Sequence, residues 1–306
     1  MVRRPPTGSE QGDLITSRDN RWLKKFRAAL RGTGPVEGEP IGVEGPKLVE
    51  DALKSGIEAE ALLVSESAEA GLEPILNAAS ASEAGVPRSR ILRTTDKLFA
   101  SVAGTEAPQG IAALFSAPMW TFEDVLRGAA DENGALGGDL PLVVVVAGVQ
   151  DPGNVGTIVR SAEAFGATGA IATRGTADPW SPKALRASAG SALRLPVLRG
   201  IAIPVLLAQL KMARVKIIAA TGRAGGELSV GTSTSAISDD PVLREPVAIF
   251  IGSEGTGLPN EVLSAADGTI SIPMRSSVES LNAGVAGSIA LFEAARQRHG
   301  TTDFQL

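Results

Sequence analysis

Residues 142–149 read L-V-V-V-V-A-G-V, the longest strongly apolar run in the chain. The run is strand-sized and falls well short of the roughly 18 residues needed to cross a bilayer as a helix. Its β-branched side chains follow one another without polar alternation, so it reads as a strand buried on both faces. A sheet built on such a strand needs helices on both sides. The pattern downstream supplies them: helix Asn154–Phe165, strand Ala170–Ala172, helix Lys183–Ser191, strand Val197–Leu198, helix Pro204–Arg214, strand Lys216–Ala220 and strand Val247–Ile251. This βαβ succession predicts an α/β domain with a parallel sheet.

In sheets of this kind ligands bind beyond the carboxyl ends of strands. That rule points to three turns: Q-D-P-G-N-V-G-T-I-V-R after residue 149, T-G-R-A-G-G from residue 221, and G-S-E-G-T-G from residue 252. None has the form G-x-G-x-x-G or G-x-x-x-x-G-K-S/T, which disfavours a nicotinamide dehydrogenase and a P-loop nucleotidase. The third turn belongs to Val247–Arg296, the most informative stretch of the chain. There an apolar strand ends in a glycine-rich loop, and a second short strand, I-S-I-P-M, ends at a proline. A polar loop, Arg275–Asn282, then opens a small-residue helix. Glycines let a ligand approach the main chain. By itself the stretch is either a pocket made largely of backbone or two ordinary strand-to-helix turns.

Upstream, strands and helices alternate over about a hundred residues and predict a smaller α/β domain. Helix Ile15–Leu30 has Trp22, Leu23, Phe26, Ala29 and Leu30 at helical spacing, with Thr16 or Ser17 as cap. Strand Ile41–Val43 and a helix carrying Pro46 in its first turn and stopping at Gly56 come next. Strand Ala61–Ser65, helix Glu73–Ala84, strand Arg90–Arg93, helix Thr95–Ala103 and strand Gly110–Phe115 complete the unit. The expected organisation is a disordered tail at 1–12, a first domain at 13–117, a linker at 118–139 with a short helix candidate Phe122–Ala130, and a second domain at 140–306.

Composition narrows the chemistry. Cysteine and tyrosine are absent, and His299 is the one histidine. Thiolate sites, a Ser-His-Asp hydrolase and a multi-histidine metal centre are therefore disfavoured. No secretory signal is read behind the N-terminal arginines, so the expected location is the cytoplasm. The net charge of −5 conceals two basic clusters. One holds Arg18, Arg21, Lys24, Lys25, Arg27 and Arg31 against Asp19. The other holds Arg160, Arg174, Lys183, Arg186, Arg194 and Arg199. Each is either a local phosphate-binding patch or a solvated face.

Three linked segments carry a resemblance. N-V-G-T-I-V-R-S-A-E-A-F-G (Asn154–Gly166), I-F-I-G-S-E-G-T-G-L (Ile249–Leu258) and the run from I-P-M to S-L-N-A-G-V-A-G-S-I-A-L-F-E (Ile272–Glu293) resemble, in order and spacing, the motifs of the SpoU/TrmH class of the SPOUT superfamily. These are S-adenosylmethionine-dependent RNA 2′-O-ribose methyltransferases. I-T-S-R-D-N-R-W-L-K-K-F, V-E-G-P-K-L-V-E-D-A-L and P-Q-G-I-A-A are similar to the L30e-like RNA-recruiting domain that many members carry. The loop T-G-P-V-E-G-E-P lacks the basic residues frequent in relatives, which shifts expected RNA contacts to Arg18, Arg21, Lys24, Lys25 and Arg27.

The resemblance implies a C-terminal trefoil knot and a homodimer whose active site draws on both chains. The small-residue face of Ala283–Ala294, with Val285, Ile289 and Phe292, serves either that interface or ordinary packing. Arg160 matches the family arginine held to act on the 2′-hydroxyl. Because a guanidinium keeps its proton in proteins, orientation of phosphate and stabilisation of a developing alkoxide are the more conservative role. Asn154 is expected to cap its helix and to orient the nucleotide or Arg160, Glu254 to pair with Arg160, and Ser280 and Asn282 to reach the ribose or the cofactor carboxylate. Gly252, Ile272 and Leu281 fall where the family contacts S-adenosylmethionine, and Thr221 and Gly222 end the preceding strand. No metal is indicated. The substrate implied is RNA, rRNA before tRNA, with a non-catalytic RNA-binding assembly factor as the rival.

Overall fold

A computed structural model describes residues 14–80, 90–128, 140–222, 234–236, 241–273 and 280–299. The expected tail at 1–12, the D-E-N-G-A-L-G-G-D segment and most of the Arg275–Asn282 loop lie outside the described residues, as does the greater part of T-G-R-A-G-G. The chain divides into two compact units, Met1–Pro118 and Met119–Leu306.

The first unit runs β1 (Leu14–Ile15), α1 (Arg21–Arg31), β2 (Ile41–Glu44), α2 (Pro46–Lys54), β3 (Ala59–Ser65), α3 (Leu72–Ser80), β4 (Ile91–Thr94), α4 (Asp96–Ala100) and β5 (Ile111–Phe115). Its sheet has the order β1-β4-β3-β5-β2, with β5 antiparallel to both neighbours. Helix α1 starts later than the apolar spacing predicts. Asn20, a strong capping residue, accepts from the Trp22 amide at 2.8 Å, while Leu14 and Ile15 pair with β4. Leu23, Phe26 and Leu30 line one face of α1 and are buried with Leu63, Phe99 and Leu114.

The second unit runs α5 (Phe122–Arg127), β6 (Leu142–Ala147), α6 (Pro152–Ala164), β7 (Gly169–Thr173), α7 (Pro182–Ala187), α8 (Ser191–Arg194), β8 (Val197–Ile201), α9 (Ile203–Met212), β9 (Lys216–Thr221), β10 (Thr234–Ala236), β11 (Val247–Gly252), α10 (Asn260–Ala265), β12 (Gly268–Ser271) and α11 (Ala283–His299). The sheet is wholly parallel, in the order β10-β12-β9-β11-β6-β7-β8. Strand β6 is buried along its length. Val143, Val145 and Ala147 meet a layer containing Leu206, Leu210 and Val262 from α9 and α10. This is the doubly covered parallel sheet that the valine run predicts.

Three local differences have plain causes. The α5 segment, read as part of a linker, packs in the second unit. Val125 is fully buried, and Gly169 leaves room for it: a Cβ on Gly169 would lie 2.7 Å from Val125 Cγ1. The helix read as Lys183–Ser191 is broken by left-handed backbone at Ala189 and Gly190 into α7 and α8. Helix α10 escapes the periodicity argument because its six residues bury only Val262.

The end of the chain fixes the architecture. From β11 the chain passes β9 to form β12, and α11 then returns to pack along α6. The approach is close, since a Cβ on Gly287 would lie 2.9 Å from Ile158 Cγ1 and one on Gly284 3.2 Å from Thr157 Cβ. The small-residue face therefore packs within its own chain and leaves Val285 and Phe292 exposed. Near the far end of α11, Arg298 donates to the carbonyls of Leu243 (2.8 Å), Pro141 (3.0 Å), Glu245 (2.5 Å) and Leu140. It ties the last helix to the entrances of β6 and β11. Arg298→Ala is expected to cost about 2 kcal/mol, the scale of hydrogen bonds to a charged donor. Urea unfolding of the two proteins measures this, and an unchanged midpoint would remove the clasp from the account.

Candidate functional site

Strands β12, β9 and β11 end together at one edge of the second unit, with Ser271 in register with Thr221 and Phe250 with Ala219. Beyond their carboxyl ends lies a cavity of about 230 Å³. All five residues expected to hold a cofactor line it: Thr221, Gly222, Gly252, Ile272 and Leu281. Ser280 and Glu254 line it too, whereas Arg160, Asn154 and Asn282 do not. Ile251, Ile270, Ala286 and Ala290 complete much of the apolar wall. Sequence reasoning passed over Ala286 and Ala290. Their four-residue spacing on one helical face is the signal that could have marked them.

The β11 loop is held by its own backbone. A Cβ on Gly252 would sit 2.5 Å from the Gly257 carbonyl carbon, so glycine is needed there for the loop to fold back across the strand end. Gly257 has φ +66°, and its amide donates to Ser253 O at 3.0 Å. The expected reason for Gly252, room for a ligand, is joined by an internal one.

Glu254 is the junction of the site. Its Oε1 accepts from Asn154 Nδ2 at 2.6 Å, from the Ala283 amide at 3.1 Å and from Asn282 Nδ2 at 3.3 Å. Asn282 Nδ2 also donates to Asn154 Oδ1 at 3.0 Å. One carboxylate thus joins the first turn of α6, the β11 loop and the start of α11, where the helix dipole favours negative charge. The three bonds converge on Oε1. Among the described residues lining the cavity, Glu254 is the only charged side chain.

Two expected roles change. Asn154 does not cap α6; Asp151 does, accepting from the Gly153 amide at 2.8 Å. Pro152 then occupies the first helical position, where its missing N–H is harmless, and the Asn154 amide is left for Glu254. Nor does Glu254 pair with Arg160. Arg160 is exposed and makes no ion pair or hydrogen bond among the described residues. On the α6 wheel it lies about 120° from Asn154, out of reach of that carboxylate. Asn282 caps α11, with Oδ1 accepting from the Val285 amide at 3.3 Å.

The second basic cluster is partly neutralised. Lys183 pairs with Asp151 at 2.7 Å, and that bond, with the Gly153 amide, holds the Asp151 carboxyl below its usual range. Arg194 pairs with Glu163. Burial pushes the Glu163 carboxyl up, but hydrogen bonds from Arg194 and Ser191 and the Arg194 charge bring it below its usual value overall.

In the first unit, the five expected RNA contacts divide. Arg18, Arg21 and Lys24 are exposed; Lys24 pairs with Asp19 at 3.5 Å, and Arg21 lies 5.7 Å from the Trp22 ring centre. Lys25 is bound to Glu60 at 2.7 Å, and Arg27 donates to Ser101 O at 3.4 Å. Among the described residues, no cluster of His, Cys, Asp or Glu could hold a metal ion, and no helix is long and apolar enough to cross a membrane.

Both units resemble known proteins. Residues 141–292 match the model of the SpoU rRNA Methylase family, and residues 39–113 that of the MRM3-like substrate binding domain. An uncharacterized tRNA/rRNA methyltransferase of Mycolicibacterium paratuberculosis is 33% identical over 90% of this chain and 84% of its own. A solved RNA 2′-O ribose methyltransferase is 30% identical with a TM-score of 0.69, covering 93% of this chain and 99% of its own. An AdoMet-bound rRNA methyltransferase from Sinorhizobium meliloti is 28% identical with a TM-score of 0.72, covering 93% and 97%.

The Glu254 junction can be tested directly. Glu254→Ala removes the acceptor at the start of α11 and is expected to cost about 1 kcal/mol. Hydrogen exchange at the Ala283 amide should become faster. Exchange as slow as in the unsubstituted protein would mean that the carboxylate does not hold the helix start.

Proposed function

We propose that this chain, which belongs to the SpoU rRNA methylase family, transfers a methyl group from S-adenosylmethionine to the 2′-hydroxyl of a ribose in RNA, with rRNA as the leading substrate. One observation carries the reading: the strand-end cavity is joined through Glu254 to Asn154, at the head of the helix that bears Arg160. A cofactor site and a substrate-facing helix thus share one carboxylate.

The cavity fits S-adenosylmethionine in chemical character. Ile251, Ile270, Ile272 and Leu281 offer flat aliphatic walls for a purine, and Thr221, Gly222 and Gly252 bring backbone groups to the strand ends. Among the described residues of the wall, Glu254 supplies a negative charge for a ligand that carries a positive one. When bound, S-adenosylmethionine supplies an electrophilic methyl group on a sulfonium. The chain supplies position, which alone can lower a barrier by roughly 7–11 kcal/mol. Glu254 and Asn282 hold Asn154, whose amide orients the nucleotide. Arg160, with no internal partner among the described residues, is available to a phosphate and to charge developing on the ribose oxygen. Ser280 stands at the cavity mouth to bind the ribose or the cofactor carboxylate.

Arg160 does not line the cavity of its own chain, which favours a site completed by a second copy. The exposed Val285 and Phe292 on α11, with the half-buried Ile289 between them, give such a copy an apolar surface. The passage from β11 past β9 to β12, and the return of α11 to α6, supports a trefoil knot at the C-terminus. The first unit would recruit RNA, with Arg18, Arg21 and Lys24 making the phosphate contacts and Lys25 and Arg27 serving the fold. Cytoplasmic work on RNA follows from this reading.

Calorimetry with S-adenosylmethionine, followed by mapping of 2′-O-methyl sites in rRNA and tRNA from cells with and without the protein, tests the proposal. Cofactor binding with loss of one rRNA modification is expected. No binding would sink it, and a lost tRNA modification would move the substrate. Arg160→Ala should reduce transfer by at least a hundredfold, on the order of a lost transition-state donor, while leaving cofactor affinity unchanged. Retained turnover would remove Arg160 from the mechanism. Val285→Glu with Phe292→Glu should shift light-scattering mass from dimer to monomer.

A further inference from the structure

The basic residues of the second unit differ in one respect that matters for RNA. Lys183 is paired with Asp151, Arg194 with Glu163, and Arg199 with Asp178, where its guanidinium also lies 4.8 Å from the Trp180 ring centre. Arg160, Arg174 and Arg186 are exposed and form no ion pair among the described residues. Arg174 follows β7 at the carboxyl edge of the sheet, on a loop bonded to the β6 turn. Arg160 and Arg186 stand on helices packed against each other.

The packing gives their relation. Lys183 meets Asp151 at the start of α6, Ala184 and Ala187 crowd Gly156, and Arg194 meets Glu163 near the end. Residues 183–194 therefore advance along α6 in its own direction. The contact at Gly156 is tight: a Cβ there would lie 2.4 Å from Ala184 O and 2.6 Å from Ala187 Cβ. Lys183 and Arg186, three residues apart, share a face of α7. Since Lys183 reaches the cap of α6, Arg186 lies one turn further along, beside the outer ridge of α6 that carries Thr157 and Arg160. Neither residues 152–162 nor residues 182–187 contain an acid that could compete for either guanidinium.

We propose that Arg186 is a positioning residue for the RNA substrate, binding a backbone phosphate next to the nucleotide that Arg160 engages. Guanidinium suits this role because its fork matches phosphate oxygens and its charge does not titrate. The inference rests on the RNA methyltransferase reading and adds to it a binding residue outside the three sequence motifs. Phosphate contacts set position and register without reading sequence. Arg186 is therefore assigned to affinity and placement, leaving the methyl transfer itself to Arg160 and its neighbours.

The test uses the full chain and a fluorescein-labelled, mixed-sequence, single-stranded RNA of about 20 nucleotides, longer than the roughly 4–16 nucleotides that one single-strand-binding module covers. Anisotropy is measured across a range of KCl concentrations. Arg186→Ala should weaken binding by about fivefold, the upper range for an exposed ion pair. It should also flatten the slope of log affinity against log salt by about 0.7, the release expected for one single-strand phosphate. Arg186→Lys should keep the slope. Thermal midpoint and S-adenosylmethionine affinity should not move in either variant. An Arg186→Ala protein with unchanged affinity and slope overturns the proposal, as does an Arg186→Lys protein that loses as much slope as the alanine variant. Should the unsubstituted protein fail to bind S-adenosylmethionine, the methyltransferase reading falls, whereas the salt slope still reports on Arg186.

Discussion

Two helices approach to near-backbone distance only where one of them carries no side chains at the crossing. Gly284 and Gly287 provide that condition on α11, against Thr157 and Ile158 of α6. Hydroxyl contact reinforces it, with Ser161 and Ser288 oxygens 2.7 Å apart. Much of the site follows from this approach. It brings the start of α11 to the start of α6, so that Asn282, Asn154 and Glu254 form one hydrogen-bonded group. It also lays Ala286 and Ala290 along the cavity wall, where larger side chains would fill the space.

The chain's basic residues are numerous, but those bound internally are not available to a polyanion in the same way. Arg31 donates to the carbonyls of Ala103 and Ala100, and Arg298 to four carbonyls of the second unit. These guanidiniums are engaged by backbone carbonyls of the scaffold. Arg18, Arg21, Arg160 and Arg186 lack such carbonyl or carboxylate partners among the described residues. Charge patterning in a sequence locates arginines; only their hydrogen bonds separate those of the scaffold from those facing solvent.

Burial explains which parts of the structure were legible beforehand. The valines of β6 announce a doubly covered strand because water is excluded from both faces, and the order of strands and helices follows. The strand-end rule located the cavity, and each expected cofactor contact lies in its wall. The helix of α5 was legible while its packing in the second unit was not, because Val125 is its one fully buried side chain; α10 was obscured because Val262 alone leaves almost no periodicity. The cap of α6 was legible and misread: D-P-G-N offers Asp151 and Asn154, and the proline after the aspartate decides for Asp151. The partner of Glu254 was not legible at all. Asn154 lies 100 residues away from it, and the choice of Asn154 over Arg160 depends on which side of α6 turns toward the β11 loop.

The grip of Arg298 on Leu140 and Pro141 spans 158 and 157 residues, and the Asn282–Asn154 bond spans 128. Contacts so distant in sequence require large loops to close, and chains dominated by them fold slowly. During synthesis β6, α6 and β9 all emerge before α11 exists. Ala283, Ala286 and Ala290 of that helix form part of the cavity wall, so the wall is complete only once the last-made helix is in place.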